Sequence, residues 1–127
     1  MNTAVIGLGS NIEPEENIDQ ARRLLRGRFT VKNESEFIET APVGYTKQDN
    51  FINGAVLVET DLTLEKLNAR LKDFEKQLGR QESPVRFGPR TIDLDIVVFN
   101  NRIIDQDFYS RDFLKNSVLE LLPNLEY

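Results

Sequence analysis

Cysteine and histidine are both absent from this chain of 127 residues. The absence of cysteine excludes disulfides, thiolate metal sites and cysteine nucleophiles, and the absence of histidine removes the commonest general base and zinc ligand. Any chemistry must therefore use carboxylates, hydroxyl groups, lysine, arginine and metal ions held through oxygen.

Long apolar runs and an excess of positive charge are missing as well. No stretch approaches the roughly 20 consecutive apolar residues of a membrane span, and no basic, signal-like segment precedes the first apolar residues. The formal net charge of −5 argues against nonspecific nucleic-acid binding, which needs a basic face. We therefore expect a cytoplasmic monomer with small-molecule partners, no nucleic acid and no membrane. Its length and its 39% of hydrophobic residues predict one domain, 1–127.

Two helices are well marked by their ends and by their apolar spacing. Pro14 suits a first helical position and arginines crowd the turn before Gly27, which predicts a helix over roughly 14–26. The second helix follows the capping candidate Thr63 and ends at Gly79. Its apolar residues recur at steps of three and four: Leu64, Leu67, Leu71, Phe74 and Leu78.

The remaining segments have the patterns of strands and turns. We predict strands at 2–8, 29–39, 51–60, 92–99 and 103–104, turns at 9–11 and 100–101, and a last helix from a Ser110 cap to just before Pro123. The order strand, helix, strand, strand, helix, strand is typical of the ferredoxin-like split βαβ arrangement. We therefore expect an α+β fold, an antiparallel sheet covered by helices on one face, with an extra C-terminal helix.

Asp93 and Asp95 are the strongest candidates for chemistry. Successive side chains alternate along a strand, so both carboxylates point to one face while Ile92, Leu94 and Ile96 point into the core. The two residues stand roughly 6.6 Å apart along the backbone, close enough to share one or two hard cations through oxygen, with magnesium the natural ion. An Asp-x-Asp pair can equally mark the wet face of a half-exposed sheet.

The loop from 80 to 91 adds positive charge beside this pair. Arg80, Arg86 and Arg90 share a short segment with one acid, Glu82. Arginine binds phosphate through a planar fork of donors and magnesium bridges adjacent phosphates, so the combination favours a polyphosphate substrate and in-line transfer. For each arginine alone, a solvated surface charge is the plainer interpretation.

A different kind of pocket is indicated by the loop 39–45 and the strand start at 51–53. Phe51 and Phe87 could stack on a flat heterocycle. Asn53 could read the edge of such a ring, because its amide both donates and accepts hydrogen bonds. Phe51 could also be an ordinary core residue.

The glycine-containing segment 7–11 superficially suggests a nucleotide-binding loop. Ile12 falls where the third glycine of a dinucleotide motif belongs, and no Walker lysine follows. Both nucleotide-loop interpretations are therefore rejected, and a turn glycine after the first strand is expected.

Several segments together resemble the 6-hydroxymethyl-7,8-dihydropterin pyrophosphokinases of folate biosynthesis. They are 9–11, 40–44, 51–53 and above all 86–96, which is Arg-Phe-Gly-Pro-Arg-Thr-Ile-Asp-Leu-Asp-Ile. The resemblance is collinear over about residues 4–104. It implies a ferredoxin-like fold, transfer of diphosphate from ATP to the hydroxymethyl group of the pterin with release of AMP, and two magnesium ions.

The resemblance also implies roles for individual residues. The catalytic set would be Asp93 and Asp95, which would hold the metal ions, with Arg80 and Arg90, which would contact the triphosphate. The pterin pocket would comprise Thr40, Ala41, Val43, Phe51, Asn53, Phe87 and Phe113. The ATP site would add Lys72, Glu75, Ile96 and Arg111 to the two arginines.

The chain departs from the family pattern after Asp105, where 106–110 is shorter than the usual segment and lacks a His-Pro pair that contributes to the ATP site. Phe87 stands where Trp is frequent, Lys72 replaces a common Gln, and Glu82 replaces a frequent basic residue. A shortened paralogue that uses another pterin, or only binds ligand, is therefore a second hypothesis. A ferredoxin-like RNA-binding or interaction module is a third, which the acidic strand and the net charge disfavour.

Overall fold

The structure of the chain is a computed structural model that describes residues 1–42, 44, 47–79 and 91–127. None of the helices in these ranges is long and apolar enough to cross a membrane. In chain order the elements are β1 (Asn2–Ser10), α1 (Pro14–Arg28), β2 (Thr30–Glu34), β3 (Ile38–Thr40), β4 (Phe51–Thr60), α2 (Leu64–Gln77), β5 (Asp93–Phe99), β6 (Arg102–Ile103), α3 (Asp107–Ser110) and α4 (Asp112–Leu121).

The strands form one open antiparallel sheet with β1 at its centre. The main path runs β2-β4-β1-β5-β6, and β3 pairs with the beginning of β4, on the edge that β2 occupies further along. β1 pairs with β4 over its whole length, from Asn2 opposite Thr60 to Ser10 opposite Ile52. Its other edge pairs with β5. The central strand therefore has both of its edges hydrogen-bonded, and the class of the fold is α+β.

The predicted strand 29–39 is divided into β2 and β3. Between them Ser35 still contacts β4, because the Ala55 N–H donates to Ser35 Oγ at 2.8 Å and the Ser35 N–H donates to the Ala55 carbonyl. Phe37 then lies against the bare Cα of Gly54, where any side chain would collide with the phenyl ring. Residues 35–37 therefore separate the two short strands.

The sheet is buried on both faces. One face packs against α1 and α2, around residues such as Leu25 and Leu71. The other packs against the C-terminal helices, around Phe108 and Val118. The expectation of helices on one face alone is therefore wrong. Its cause is visible in β1, where the consecutive residues 4–6 are all buried, so both faces of the strand are apolar and α4 covers the second.

The predicted signals locate the start of α1 and both ends of α2. Thr63 caps α2, and its hydroxyl accepts a hydrogen bond from the Lys66 N–H at 3.3 Å. Gly79, just beyond that helix, has a φ of +86°, a left-handed conformation that glycine adopts without strain. α1 begins at Pro14 as predicted, but it continues past Gly27 to Arg28.

Two predicted boundaries are wrong. The turn expected at 9–11 begins too early, because its glycine and serine still pair with β4 as the end of β1. Ser110 does not cap the last helix, since it belongs to the short helix α3. α4 begins only after Arg111, whose side chain makes no capping hydrogen bond, and it ends before Pro123 as predicted.

Candidate active site

Asp93 and Asp95 lie on the sheet face opposite α1 and α2. Leu94 between them is buried beneath those helices, so strand alternation turns both carboxylates toward the face that α4 covers in part. The residues opposite them on β1 are Gly9 and Gly7. Because neither glycine has a side chain, β1 places no side chain beside the two carboxylates at these positions.

Asn53 lies on the same face, on the other side of Gly9. Gly9 pairs with Asn53 on β4 and with Asp93 on β5, so the three residues form one row across the sheet. Neighbouring strands lie about 4.8 Å apart, which puts Asn53 and Asp93 roughly 10 Å apart at the backbone. A methyl group on Gly9 would come within 2.6 Å of Asn53 Oδ1. Glycine at this position therefore leaves room for the Asn53 amide oxygen over β1.

The side chain of Asn53 is held from β3. Its Nδ2 donates to Thr40 Oγ1 at 2.5 Å. Thr40 also pairs through its backbone with Phe51, which is half-buried at the start of β4. Since the amide nitrogen is engaged by Thr40, the amide oxygen is the atom turned toward Gly9. The structure thus brings Thr40, Phe51 and Asn53 together, and the exposed Ala41 follows Thr40.

Ser10 and Asn11 anchor two loops to the end of β1, a role that the sequence did not reveal. The Ser10 hydroxyl donates to the Thr91 carbonyl at 2.5 Å, just before β5 begins. The Asn11 amide donates to the Gln48 side chain at 2.8 Å and to the Asp49 carbonyl at 3.0 Å. Both anchoring residues are buried. The signal that could have identified them is a pair of small polar residues at the end of an apolar strand.

Lys72 and Glu75 reach from α2 to the outer edge of β5. Only 6% of the Glu75 side chain is exposed, and one of its oxygens accepts a hydrogen bond from the Leu94 N–H at 2.8 Å. The Lys72 ammonium lies 3.3 Å from the same carboxylate and 3.3 Å from the Leu94 carbonyl. It also lies 3.5 Å from Asp95 Oδ1. These two side chains therefore link α2 to the carboxylate pair.

The surroundings of Asp95 favour its protonated form in the absence of a metal. Burial, followed by the charge of Asp93, raises the pKa of the Asp95 carboxyl to about 7, while the charge of Lys72 lowers it. The neighbouring carboxylates of Glu75 and Asp105 also raise that pKa. A divalent cation would offset this concentration of negative charge and favour the ionised carboxylate.

The donor chemistry of the pair suits a magnesium ion that is shared with a substrate. Magnesium is commonly held by one or two carboxylates together with substrate phosphates and water. Among the residues that the structure describes, no group of three or more acidic, histidine or cysteine side chains gathers at one point. Asp93 and Asp95 therefore offer two ligands, and the others would come from elsewhere.

Two predicted site residues lie at the start of α4. The Nε of Arg111 is 3.7 Å from Asp107 Oδ2, and Phe113 is half-buried in the first turn of the helix. The side chain of the next residue, Leu114, lies 3.5 Å from where a Cβ would stand on Gly7. The first turn of the helix therefore lies over Gly7, the residue opposite Asp95.

Ile96 has a buried side chain in the core beneath α2. The N–H and C=O of Leu94 point to the outer edge of β5, and alternation turns the backbone groups of Ile96 to the same edge. Any contact of Ile96 with a nucleotide would therefore use its backbone. Four other predicted site residues lie outside the described ranges: Val43, Arg80, Phe87 and Arg90.

The sheet and its carboxylate pair define an α+β protein with a face suited to a hard cation. Residues 5–123 match the sequence model of the family described as 7,8-dihydro-6-hydroxymethylpterin-pyrophosphokinase. The chain belongs to this family.

Curated relatives have corresponding names. A 2-amino-4-hydroxy-6-hydroxymethyldihydropteridine pyrophosphokinase from Bacillus subtilis is 38% identical over 136 aligned positions, which cover 98% of this chain and 81% of the relative. A protein of the same name from Aquifex aeolicus is 31% identical, with 98% of this chain and 83% of the relative covered. A mitochondrial folate synthesis bifunctional protein from Arabidopsis thaliana is 38% identical, and the match covers 93% of this chain but 23% of that longer protein.

Proposed function

We propose that this chain transfers diphosphate from ATP to the hydroxymethyl group of 6-hydroxymethyl-7,8-dihydropterin and releases AMP. Membership of its family makes the chain a pyrophosphokinase of folate biosynthesis. The proposal adds to this the dependence on ATP and magnesium and the roles of individual residues. The observation that carries it is the row of Asn53, Gly9 and Asp93, because the reaction must combine recognition of a ring with binding of a metal–phosphate group on one surface.

The pterin would lie on the β4 side of this row. Phe51 would stack on the ring, and the Asn53 amide oxygen would accept hydrogen bonds from ring N–H groups. Thr40 supports this role, since its hydroxyl already engages the amide nitrogen. The resemblance of the sequence supplies the other proposed members of the pocket: Ala41, Val43, Phe87 and Phe113.

Magnesium would be held by Asp93 and Asp95, with two ions in the complete site. When bound, it would neutralise phosphate charge and the charge that develops during transfer. The chain itself contributes two carboxylates at the fixed spacing of one strand, with two glycines opposite them on β1. Neither glycine would place a side chain between the carboxylates and a polyphosphate.

The nucleotide would approach along the outer edge of β5. Lys72 and Glu75 stand at that edge, and the backbone of Ile96 is turned to it. Arg111 would contribute from the start of α4. The contacts of Arg80 and Arg90 with the triphosphate are proposed from the resemblance of their sequence segment.

The transfer joins the pterin oxygen to the β-phosphorus of ATP. The hydroxymethyl oxygen attacks that phosphorus, the bond from it to the oxygen bridging the α-phosphorus breaks, and AMP leaves. The hydroxyl proton passes to solvent. The roughly 10 Å between Asn53 and Asp93 would allow a pterin to be recognised at one end while its hydroxymethyl arm reaches the phosphates at the other.

A ferredoxin-like fold, one domain over 1–127, a monomeric state and a cytoplasmic location complete the proposal. The strand order β2-β4-β1-β5 supports this fold, since α1 joins β1 to β2 and α2 joins β4 to β5, as in a split βαβ arrangement.

Product analysis tests the proposed reaction. The chain is incubated with 6-hydroxymethyl-7,8-dihydropterin, ATP and magnesium, and a matched sample contains EDTA. We expect one AMP for each pterin diphosphate formed, and no product in EDTA. Stoichiometric ADP would contradict diphosphate transfer, because it marks attack at the γ-phosphorus.

A shortened paralogue that binds a pterin without turning it over is the second candidate. The alignment with the Bacillus subtilis relative favours it, because its 136 positions exceed the 127 residues of this chain, so the relative has residues where this chain has none. This candidate predicts calorimetric binding of the pterin with no formation of AMP.

A further inference from the structure

We infer that Lys72 is a built-in counter-ion of the carboxylate pair, which a divalent cation must displace from Asp95, and that Lys72 thereby sets the metal affinity of this chain. The inference rests on the metal site proposed above. It assigns Lys72 a positioning role toward a carboxylate, in addition to any contact with the nucleotide.

The contacts of Lys72 identify an ammonium shared between two carboxylates. Its Nζ lies 3.3 Å from Glu75 Oε2, 3.3 Å from the Leu94 carbonyl and 3.5 Å from Asp95 Oδ1. An ammonium has three donors, and here three acceptors face it. The contact with Asp95 is the longest of the three.

Burial separates the two acidic partners into a fixed one and an accessible one. The Glu75 side chain is 6% exposed, whereas the Asp95 side chain is 45% exposed. Glu75 also accepts the Leu94 N–H, which ties it to the strand. Lys72 is therefore held in place from the Glu75 side, while solvent and solutes can reach Asp95.

Acidic neighbours crowd Asp95 in the metal-free protein, and the Lys72 ammonium offsets part of their charge. Asp93, Glu75 and Asp105 all act on the Asp95 carboxyl as neighbouring acids, and Lys72 is the cation that opposes them among the described residues. An ammonium beside Asp95 and a divalent ion bound to it would repel each other strongly at such short range. Metal binding therefore has to move Lys72 away from Asp95, toward its remaining partners on α2 and β5.

The test measures metal binding in the absence of nucleotide. Manganese replaces magnesium as the probe, and its free concentration is followed by electron paramagnetic resonance during titration of the full chain. Lys72→Gln removes the counter-ion, and glutamine is the residue that the family commonly has there. Lys72→Met is a second neutral variant that preserves the aliphatic stem, and thermal unfolding establishes that each variant is folded.

Two further variants serve as controls. Lys72→Arg keeps the positive charge, and Lys76→Gln makes the same charge change at an exposed position of the same helix. We expect the two neutral Lys72 variants to bind manganese about three- to tenfold more tightly than wild type. Both controls should stay within about twofold of wild type, since each leaves a cation beside Asp95.

The outcomes separate failure of this inference from failure of the metal site. Wild type that binds no manganese would overturn the metal site and this inference with it. Wild-type binding with unchanged or weaker affinity in folded Lys72→Gln and Lys72→Met would overturn the counter-ion role alone, and a purely structural lysine would give that result. Equal tightening in Lys76→Gln would also overturn it, because the effect would then come from net charge.

Discussion

Glu75 of α2 accepts a hydrogen bond from the backbone N–H of Leu94, at 2.8 Å. Leu94 is the residue between the two aspartates of β5, and β6 pairs with β5 only further along, at Val98 and Phe99. Beside the aspartates, the outer edge of β5 is therefore covered, among the described residues, by a side chain of α2 and not by a neighbouring strand. This contact ties α2 to the part of β5 that carries the carboxylate pair.

Replacing Glu75 should destabilise the protein. Glu75→Ala leaves the buried Leu94 N–H without this acceptor and Lys72 with one carboxylate fewer, which should cost about 1–3 kcal/mol of unfolding free energy. Glu75→Gln retains an acceptor oxygen and should lose less. Urea unfolding in EDTA measures both.

Asp73→Ala is the matched control for Glu75, since it removes an exposed acid from the same helix. Its unfolding free energy should stay within about 0.5 kcal/mol of wild type. If Glu75→Ala were no more harmful than this control, the contact with Leu94 would not support the site.

Gly9→Ala should weaken pterin binding while leaving the fold intact. The added methyl would stand 2.6 Å from Asn53 Oδ1, so the amide must rotate out of its place beside Thr40. Displacing one buried hydrogen-bonding group costs about 1–3 kcal/mol, which corresponds to roughly 5- to 150-fold in affinity. Calorimetry with a nonreactive pterin analogue measures this loss.

Gly27→Ala is the control for that substitution. Gly27 is exposed in α1, and no atom lies within 4 Å of an added Cβ. Alanine should raise stability by about 0.5–1 kcal/mol through its better helix propensity and leave pterin affinity unchanged. Wild-type pterin affinity in Gly9→Ala would show that the row of Asn53, Gly9 and Asp93 does not form the pterin site.

The metal-free protein should lose stability as the pH rises from 5 to 8. The pKa of Asp95 is raised from 3.8 to about 7 on folding, so between these values the folded state binds a proton that the unfolded state does not. The free energy of unfolding therefore falls with rising pH until Asp95 is ionised in the folded state as well, near pH 7. Because 45% of the Asp95 side chain is exposed, solvent screening limits the effect to about 1–2 kcal/mol.

Asp95→Asn removes this contribution. We expect the difference in unfolding free energy between wild type and Asp95→Asn, measured in EDTA, to shift in favour of the variant as the pH rises from 5 to about 7 and to level off above that. Titration of Glu34 does not contribute above pH 5, because the hydrogen bond from Arg22 lowers the pKa of Glu34. A difference that does not change with pH would mean that Asp95 is not crowded by acids.

Local patterns were sufficient to predict individual elements. The apolar steps and the Thr63 cap of α2 depend only on neighbouring residues, and so does the alternation that puts Asp93 and Asp95 on one face. The sequence analysis did not predict that helices cover the second face of the sheet, although the consecutive apolar residues 4–6 of β1, which are all buried, indicate it. A strand that is apolar on both sides needs a helix on each.

Relationships between distant segments could not be predicted in this way. The row of Asn53, Gly9 and Asp93 depends on the register of three strands, and register is a property of the assembled sheet. The position of Lys72 beside Asp95 depends on how α2 packs on β5. The resemblance to a family predicted most of these residues as site residues. The contacts among them could be identified only from the folded structure.

The central claim is that the two aspartates serve chemistry and not folding. Its most direct measurement compares AMP formation and thermal unfolding in EDTA for Asp93→Asn, Asp95→Asn and the exposed control Asp73→Asn. The account predicts that each of the first two variants melts no more than about 2 °C below wild type yet loses at least about 100-fold in turnover, while the control keeps both. Near-normal turnover in either Asp93→Asn or Asp95→Asn would contradict the account, whatever the melting temperature.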